Sequence, residues 1–364
     1  MKQKSSPLAF LGKIEGLPVA AVLVVLYAIF IITAPTVFSG YRIYMSFLQT
    51  VPPVLVCALG LTLVVTAGEM DLSFPAVVAL SGFIFAWVFK TSNNAPWATW
   101  AGFALALAGG ALVGYINGIL VAKVHVPSIM ATLAAQFFWY GVTVLLANGL
   151  QLNIKEVTTD TLHEIFVGRI GGIVPAQALW SLALAVFLWF ILNRHKFGEA
   201  IMFIGDNADV ARVMGINVEA TRIRLFTVMG VIAAFAGLLL TLEINVFYPT
   251  QGGGFMLPTM ASVFVGGTSI AGGLGSIFGT VFGAYIIGSL EAGIVATTIS
   301  GYWVQLVVGV VMGASMILNV AINEGRIGMI SDRLRHWGVP IPSNTLGGVL
   351  TEDADAAKSD VASK

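Results

Sequence analysis

Charge is what this chain has least of. Asp, Glu, Lys and Arg supply 10% of its 364 residues while 57% are hydrophobic, whereas soluble domains average roughly 25% charged and 45–50% apolar. That balance excludes an ordinary soluble domain and calls for a lipid environment. The single cysteine, Cys57, lies in an apolar run; it excludes an internal disulfide and reads as a small buried hydrophobe. The histidines His125, His163, His195 and His336 are scattered without ligand spacing, so no metal site is assigned. A formal net charge of zero leaves no basic excess for nucleic acid. No Gly-x-x-x-x-Gly-Lys-Ser/Thr phosphate loop occurs, so the chain lacks that ATP-binding device, and no residue is assigned a catalytic role.

Long apolar runs are what it has instead. A spanning helix needs about 20 mainly apolar residues to cross about 30 Å of hydrocarbon. Ten segments qualify, roughly 17–38, 46–67, 72–89, 97–121, 128–147, 176–193, 224–244, 257–270, 275–297 and 302–321. They predict an all-α membrane protein, a polytopic bundle of about ten transmembrane helices. Pro52-Pro53, Pro75 and Pro258 interrupt three of the segments and predict short or broken helices there. Lys2, Lys4 and Lys13 ahead of the first run resemble a secretory signal, but the run is long and more spans follow, so it reads as a retained anchor.

Ten spans put both termini on one side. That side gathers most of the basic residues: the N-terminal lysines, Lys123, those of segment 194–224, and the tail from Arg326 to Lys364. Arg42, Lys90, Lys155 and Arg169 fall on the other, and the positive-inside rule therefore predicts cytoplasmic termini. The expected division is a cytoplasmic arm over 1–16, a membrane domain over 17–322 with a cytoplasmic charged loop at 194–224, and a cytoplasmic tail over 323–364. The small polar end of the tail, around Thr351-Glu352-Asp353-Ala354-Asp355, predicts disorder.

Gly110-Ala-Leu-Val-Gly114-Tyr-Ile-Asn-Gly118 recurs loosely as Gly279-Thr-Val-Phe-Gly283-Ala-Tyr-Ile-Ile-Gly288, each after a proline-containing segment. Segments five apart point in opposite directions, as in an inverted five-helix repeat. Glycine at intervals of four equally suits close helix packing.

Segment 194–224 is the densest run of charge, holding nine charged side chains against 18 acidic and 18 basic ones in the whole chain. It reads as a docking surface. Asp206 or Asn207 suits the cap of a short helix, Val210, Val213 and Met214 share a face, and Gly215 closes it. Glu69, Asp71 and Ser73 stand beside a span, with Asp71 suited to cap the half-helix that contains Pro75. Glu243 lies near an outer span end and Glu291 well inside another, where an isolated carboxylate is expected to face the bundle interior or a watery cavity. Glu69, Asp71, Ser73 and Glu291 are the pathway candidates. The outer loop 149–175, with Lys155, Glu156, Asp160, His163, Glu164 and Arg169, reads as a docking surface or as a merely solvated loop.

Three motifs in order now carry a resemblance: Gly68-Glu69-Met70-Asp71-Leu72-Ser73, then Gly205-Asp206-Asn207 to Gly215-Ile216-Asn217, then Val265-Gly266-Gly267-Thr268-Ser269-Ile270-Ala271-Gly272-Gly273-Leu274-Gly275-Ser276. From about residue 45 to 322 the chain resembles the ribose-type monosaccharide permeases of bacterial ABC importers, and Asp209-Val210-Ala211 with Gly215 resembles the Glu-Ala-Ala-x-x-x-Gly loop of importer permeases. The resemblance implies an inner-membrane permease that pairs with a second permease copy or homologue, a cytoplasmic ABC ATPase and a periplasmic solute-binding protein. ATP and Mg²⁺ would be held by the ATPase, with no cofactor in this chain. It also implies a coupling helix at Asp206, Asn207, Ala208, Asp209, Ala211, Arg212 and Gly215. The chain departs from the family where Glu69-Met70 replaces Gly-Ile, Phe74-Pro75 replaces Val-Gly, and Asp206 replaces a second Gly. Those departures leave the solute open: a pentose, hexose or polyol, or alternatively a nucleoside or branched-chain amino acid. The rival class is an ion-driven secondary transporter with Glu291 and Glu243 as its relay.

Overall fold

A computed structural model describes residues 15–297 and 300–323. Almost all of the arm over 1–16 and of the tail over 323–364 therefore lies outside the described residues. Contacts divide the chain into one compact unit ending at Met316 and another from Ile317.

The first unit is built from helices: α1 (Leu17–Thr33), α2 (Pro35–Phe38), α3 (Tyr41–Thr50), α4 (Pro52–Thr66), α5 (Phe74–Thr91), α6 (Pro96–Ala122), α7 (Ser128–Leu146), α8 (Thr161–Val167), α9 (Ala176–Arg194), α10 (Lys196–Val213), α11 (Val218–Ile244), α12 (Met256–Val265) and α13 (Ile277–Ala296), with α14 (Trp303–Asn323) running past its boundary. The extended segments are two-residue antiparallel pairs, Leu152–Asn153 with Val246–Phe247 and Arg169–Ile170 with Val174–Pro175.

Every apolar segment read from the sequence holds a helix, but the count of spans differs. Helices α5, α6, α7, α9, α11 and α13 are long and apolar enough to cross a membrane, and the pair α3 and α4, bent by 51°, makes a seventh if it is one span. α1, α12 and the Trp303–Gly313 part of α14 are shorter apolar helices. The prolines explain part of this. Pro52, Pro53, Pro75 and Pro258 stand in the first turns of α4, α5 and α12, where a missing N–H is tolerated and φ is already suited to the helix. They start helices, so α5 runs unbroken for 18 residues while α12 stops after 10.

Both glycine runs serve as packing seams. A Cβ at Gly114 would overlap the Phe226 carbonyl of α11, and one at Gly283 would overlap the Ser262 carbonyl of α12. Helix backbones therefore meet at distances that only glycine allows. Around these seams the main apolar core includes Leu59, Leu63, Phe74, Phe85, Phe89 and Phe226, all fully buried.

Contacts also define two ends of the bundle. At one, Lys90 Nζ meets Glu156 Oε2 at 2.8 Å, and this hydrogen bond holds the Glu156 carboxyl below the usual range. The pairing of 152–153 with 246–247 lies near the same end. At the other, the end of α4 and the link 266–276 meet α10.

Candidate functional site

The charged segment 194–224 is not a loop. It is α10, a four-residue link and the start of α11, which begins at Val218, six residues before the point where charge density ends. His195 Nδ1 accepts from the Phe197 N–H at 3.1 Å and opens α10, which is broken at Asn207, extended at φ −159°, ψ 108°. There Asn207 Oδ1 accepts from the N–H groups of Asp209 at 3.0 Å and Val210 at 3.1 Å, and so caps a second short helix inside the first. At the far end the Gly215 N–H donates to Arg212 O and the Ile216 N–H to Ala211 O, both at 3.0 Å, with Gly215 at φ +86°. This is the Schellman closure, which needs a left-handed residue at that position.

One face of this half-helix is internal. Ala211 is fully buried against Ile204 and Val218, with Ala208 and Ile216 alongside, so Ala211 is a packing residue and does not belong to the outward surface. The other face is outward: Val210 is 53%, Met214 58% and Val213 89% exposed. Asp206, Asn207, Asp209, Arg212 and Gly215 are exposed around it, Asp209 and Arg212 paired at 2.6 Å.

Residues 67–73 join α4 to α5 and carry Glu69, Asp71 and Ser73, all buried. Glu69 Oε1 lies 2.7 Å from Arg222 Nε, an ionic contact whose angle falls outside hydrogen-bond alignment. Asp71 does not cap α5. Its Oδ1 accepts from the Ser73 N–H at 2.7 Å and the Ser73 hydroxyl at 2.6 Å, one residue short of the helix, while Asn117 Nδ2 of α6 donates to Ser73 Oγ at 2.8 Å. Three backbone N–H groups reach side chains of α7, that of Ala76 while also donating to Ser73 O. Ser128 Oγ accepts from the Met70 N–H at 3.1 Å, Thr132 Oγ1 from Leu72 at 3.0 Å and Gln136 Oε1 from Ala76 at 2.8 Å. These acceptors, spaced i, i+4, i+8 on one helix face, tie residues 70–76 to α7, a role that the sequence reading passed over.

The three motif segments converge here. Gly205 of α10 sits so close to the end of α4 that a Cβ on it would overlap Thr66 O. The Gly273 N–H donates to that same Thr66 oxygen at 2.9 Å, and a Cβ on Gly272 would come 2.6 Å from Gly205 O. Just before its break at Asn207, α10 is thus joined through glycine contacts to the end of α4 and to the link 266–276.

The other carboxylates lie apart. Glu243 accepts from the side chains of Gln49 and, at 3.0 Å, Gln177, so both its oxygens are engaged; Arg169 donates to Gln49 Oε1 at 3.0 Å. His163 is half-buried near this cluster, and burial holds its pKa below the usual histidine range against the opposing pull of Glu243. Glu291 is exposed on α13 between exposed Gly288 and Val295, which leaves, of its two expected settings, the watery cavity rather than the interior of this chain's bundle, and it has no hydrogen bond or ion pair among the described residues.

A bundle with six or seven helical segments long and apolar enough to cross a membrane defines a multi-pass membrane protein. Residues 43–316 match the family described as the permease component of branched-chain amino acid transport systems, and the chain belongs to that family. It is 34% identical over 300 residues to the ribose import permease protein of Escherichia coli strain K12, covering 82% of this chain and 91% of that one. It is 33% identical over 287 residues to the ribose import permease protein of Haemophilus influenzae (77% and 85% covered) and 29% identical over 314 residues to the fructose import permease protein of Rhizobium meliloti (85% of each). No solved structure gives a significant match.

Proposed function

We propose that this permease is the membrane subunit of an ATP-driven importer for a sugar-like solute, a pentose, hexose or polyol, working by alternating access in a bacterial inner membrane. The observation that carries the reading is the exposed apolar face of Val210, Val213 and Met214 on a half-helix capped at both ends. Fully covering an exposed apolar side chain stabilises by about 1.5–3 kcal/mol, so a partner cleft would gain most from Val213, 89% exposed, and less from Val210 and Met214. The partner is a separate cytoplasmic ABC ATPase, which binds ATP and Mg²⁺; Asp206, Asn207, Ala208, Asp209, Arg212 and Gly215 form the seat around the apolar contacts. The names of the relatives in Escherichia coli, Haemophilus influenzae and Rhizobium meliloti support a sugar over an amino acid.

The seat of α10 and both chain ends face the cytoplasm in this reading, and the outer loop 149–175 receives a periplasmic solute-binding protein. Each partner shifts the transporter only by binding its two states unequally. A second permease copy completes the route. Glu69, Asp71 and Ser73 lie at its cytoplasmic end, and Glu291 lines it where the two chains meet. The engaged oxygens of Glu243 do not suit an ion relay.

The test is purification of the full chain from native membranes and uptake in sealed vesicles. An ATPase and a binding protein co-purify, and labelled ribose or fructose accumulates only with ATP inside. Accumulation driven by an ion gradient without either partner sinks the reading.

A further inference from the structure

We propose that the Glu69–Arg222 ion pair is the link through which the α10–α11 segment moves residues 68–73, making both positioning residues of the transport cycle. The inference rests on the docking role given above to α10.

Three observations carry it. First, the outward half of α10 and the start of α11 pack as one body. Ala211 of α10 is buried with Val218 of α11 and Ile204, Ile216 of the link closes on Ala211, and Asn217 Oδ1 caps the Ala220 N–H at 2.9 Å. Arg222 stands one turn further along the same helix, so a force on Val213 reaches it without crossing a flexible joint.

Second, the ion pairs among the described residues differ in setting. Lys90–Glu156 and Asp209–Arg212 are open to water, whereas the Glu69 and Arg222 side chains are 9% and 22% exposed. An exposed pair separates at little cost. A buried one stays together, because either charge left alone is poorly solvated. When the α10–α11 body shifts, Glu69 therefore goes with Arg222.

Third, segment 68–73 passes that displacement on. Met70 and Leu72 hand their backbone N–H groups to side chains of α7, and Asp71 and Ser73 are tied to Asn117 of α6. The glycine contact of Gly205 with Thr66 gives a fixed point beside that body, just before the break at Asn207 and next to Ile204, which packs with Ala211 and Val218. Rotation about that contact shifts Arg222, then Glu69, then the grip of the segment on α6 and α7.

The test compares the full-length chain with E69Q, R222Q and the exchanged pair E69R/R222E, each with the ATPase that co-purifies, by amide hydrogen exchange with and without vanadate-trapped nucleotide. In the native protein, ATPase binding protects 207–216, and trapping changes exchange at Met70 and Leu72 by at least about fivefold, the lower range of coupling between sites. In E69Q and R222Q the protection of 207–216 persists and the response at Met70 and Leu72 is lost; the exchanged pair restores it. An undiminished response in the single variants overturns the link. So does a loss that the exchanged pair fails to restore while melting temperature falls in step, which marks a purely structural pair. If no ATPase protects 207–216 in the native chain, the docking reading itself fails and the inference falls with it.

Discussion

Gly205 of α10 lies against the carbonyl of Thr66 at the end of α4, with no room for a Cβ between them. The obstacle is backbone on both sides, so repacking of a side chain does not relieve it. Gly205→Ala is expected to cost about 1–3 kcal/mol or more through overpacking and to lower the melting temperature in detergent. Gly141, inside α7 with nothing within 4 Å of its Cβ position, is the control: Gly141→Ala is expected to be neutral or stabilising by up to about 1 kcal/mol from helix propensity. Equal melting temperatures for the two variants would contradict the close approach.

Val213 is 89% exposed and touches nothing that a charge there would disturb. Val213→Asp should therefore leave stability within about 0.5 kcal/mol of native, while abolishing ATPase co-purification. Breaking the exposed Asp209–Arg212 pair with R212Q is expected to alter stability by no more than about 1 kcal/mol. A V213D protein that retains its ATPase removes α10 from the docking surface.

Thr132 Oγ1 accepts from the Leu72 N–H and donates to Ser128 O at 2.7 Å. Thr132→Val keeps the shape and leaves a buried N–H unpaired, which costs about 1–3 kcal/mol. Chemical unfolding in detergent measures the loss, and hydrogen exchange at Leu72 should rise with it. Native exchange at Leu72 in T132V would mean that another group satisfies the donor.

These residues also show where sequence runs out. The half-helix at 207–215 was legible because its signals are local: Asn207 caps its neighbours, Val210, Val213 and Met214 share a face, and Gly215 supplies the left-handed turn. Glu69 was visible as an oddity, but its partner Arg222 lies far along the chain and looked like the end of a charged loop. Arg222 and Arg224 lowered the apparent apolarity of α11 and hid its first turns. The spacing of Ser128, Thr132 and Gln136 was there to be seen; its meaning was not, because what they bind is backbone some sixty residues earlier.

His163 gives the outer loop a pH dependence of definite sign. Burial lowers its pKa below the ordinary value of 6.5; the charge of Glu243, the Leu242 backbone and Asn245 pull the other way without cancelling it. Once the loop opens, the imidazole titrates near its ordinary value, so between the two values the open state binds more protons. The contribution is complete above about pH 6.5 and is lost as pH falls toward the lower folded value. Protection against hydrogen exchange over residues 152–170, taken relative to the intrinsic amide rate at each pH, should therefore fall between pH 7.5 and 5.5, and His163→Gln should flatten the response. The same slope in H163Q would assign the effect to another group.

Glu291 poses the last question because of where it is exposed. It stands on α13 beside Gly288 and Val295, on a helix apolar enough to span the membrane. A carboxylate facing hydrocarbon at that depth costs roughly 2.5–3.5 kcal/mol on insertion scales, so a face that keeps one is expected to meet water or another protein chain. If that face lines the route between two permease copies, Glu291→Gln alters the rate of solute uptake while ATPase co-purification and melting temperature stay native. If it meets only lipid, Glu291→Leu raises the melting temperature and leaves uptake untouched. Uptake of labelled ribose in vesicles, run on both variants beside a thermal melt, separates the two, and unchanged uptake in E291Q removes Glu291 from the route.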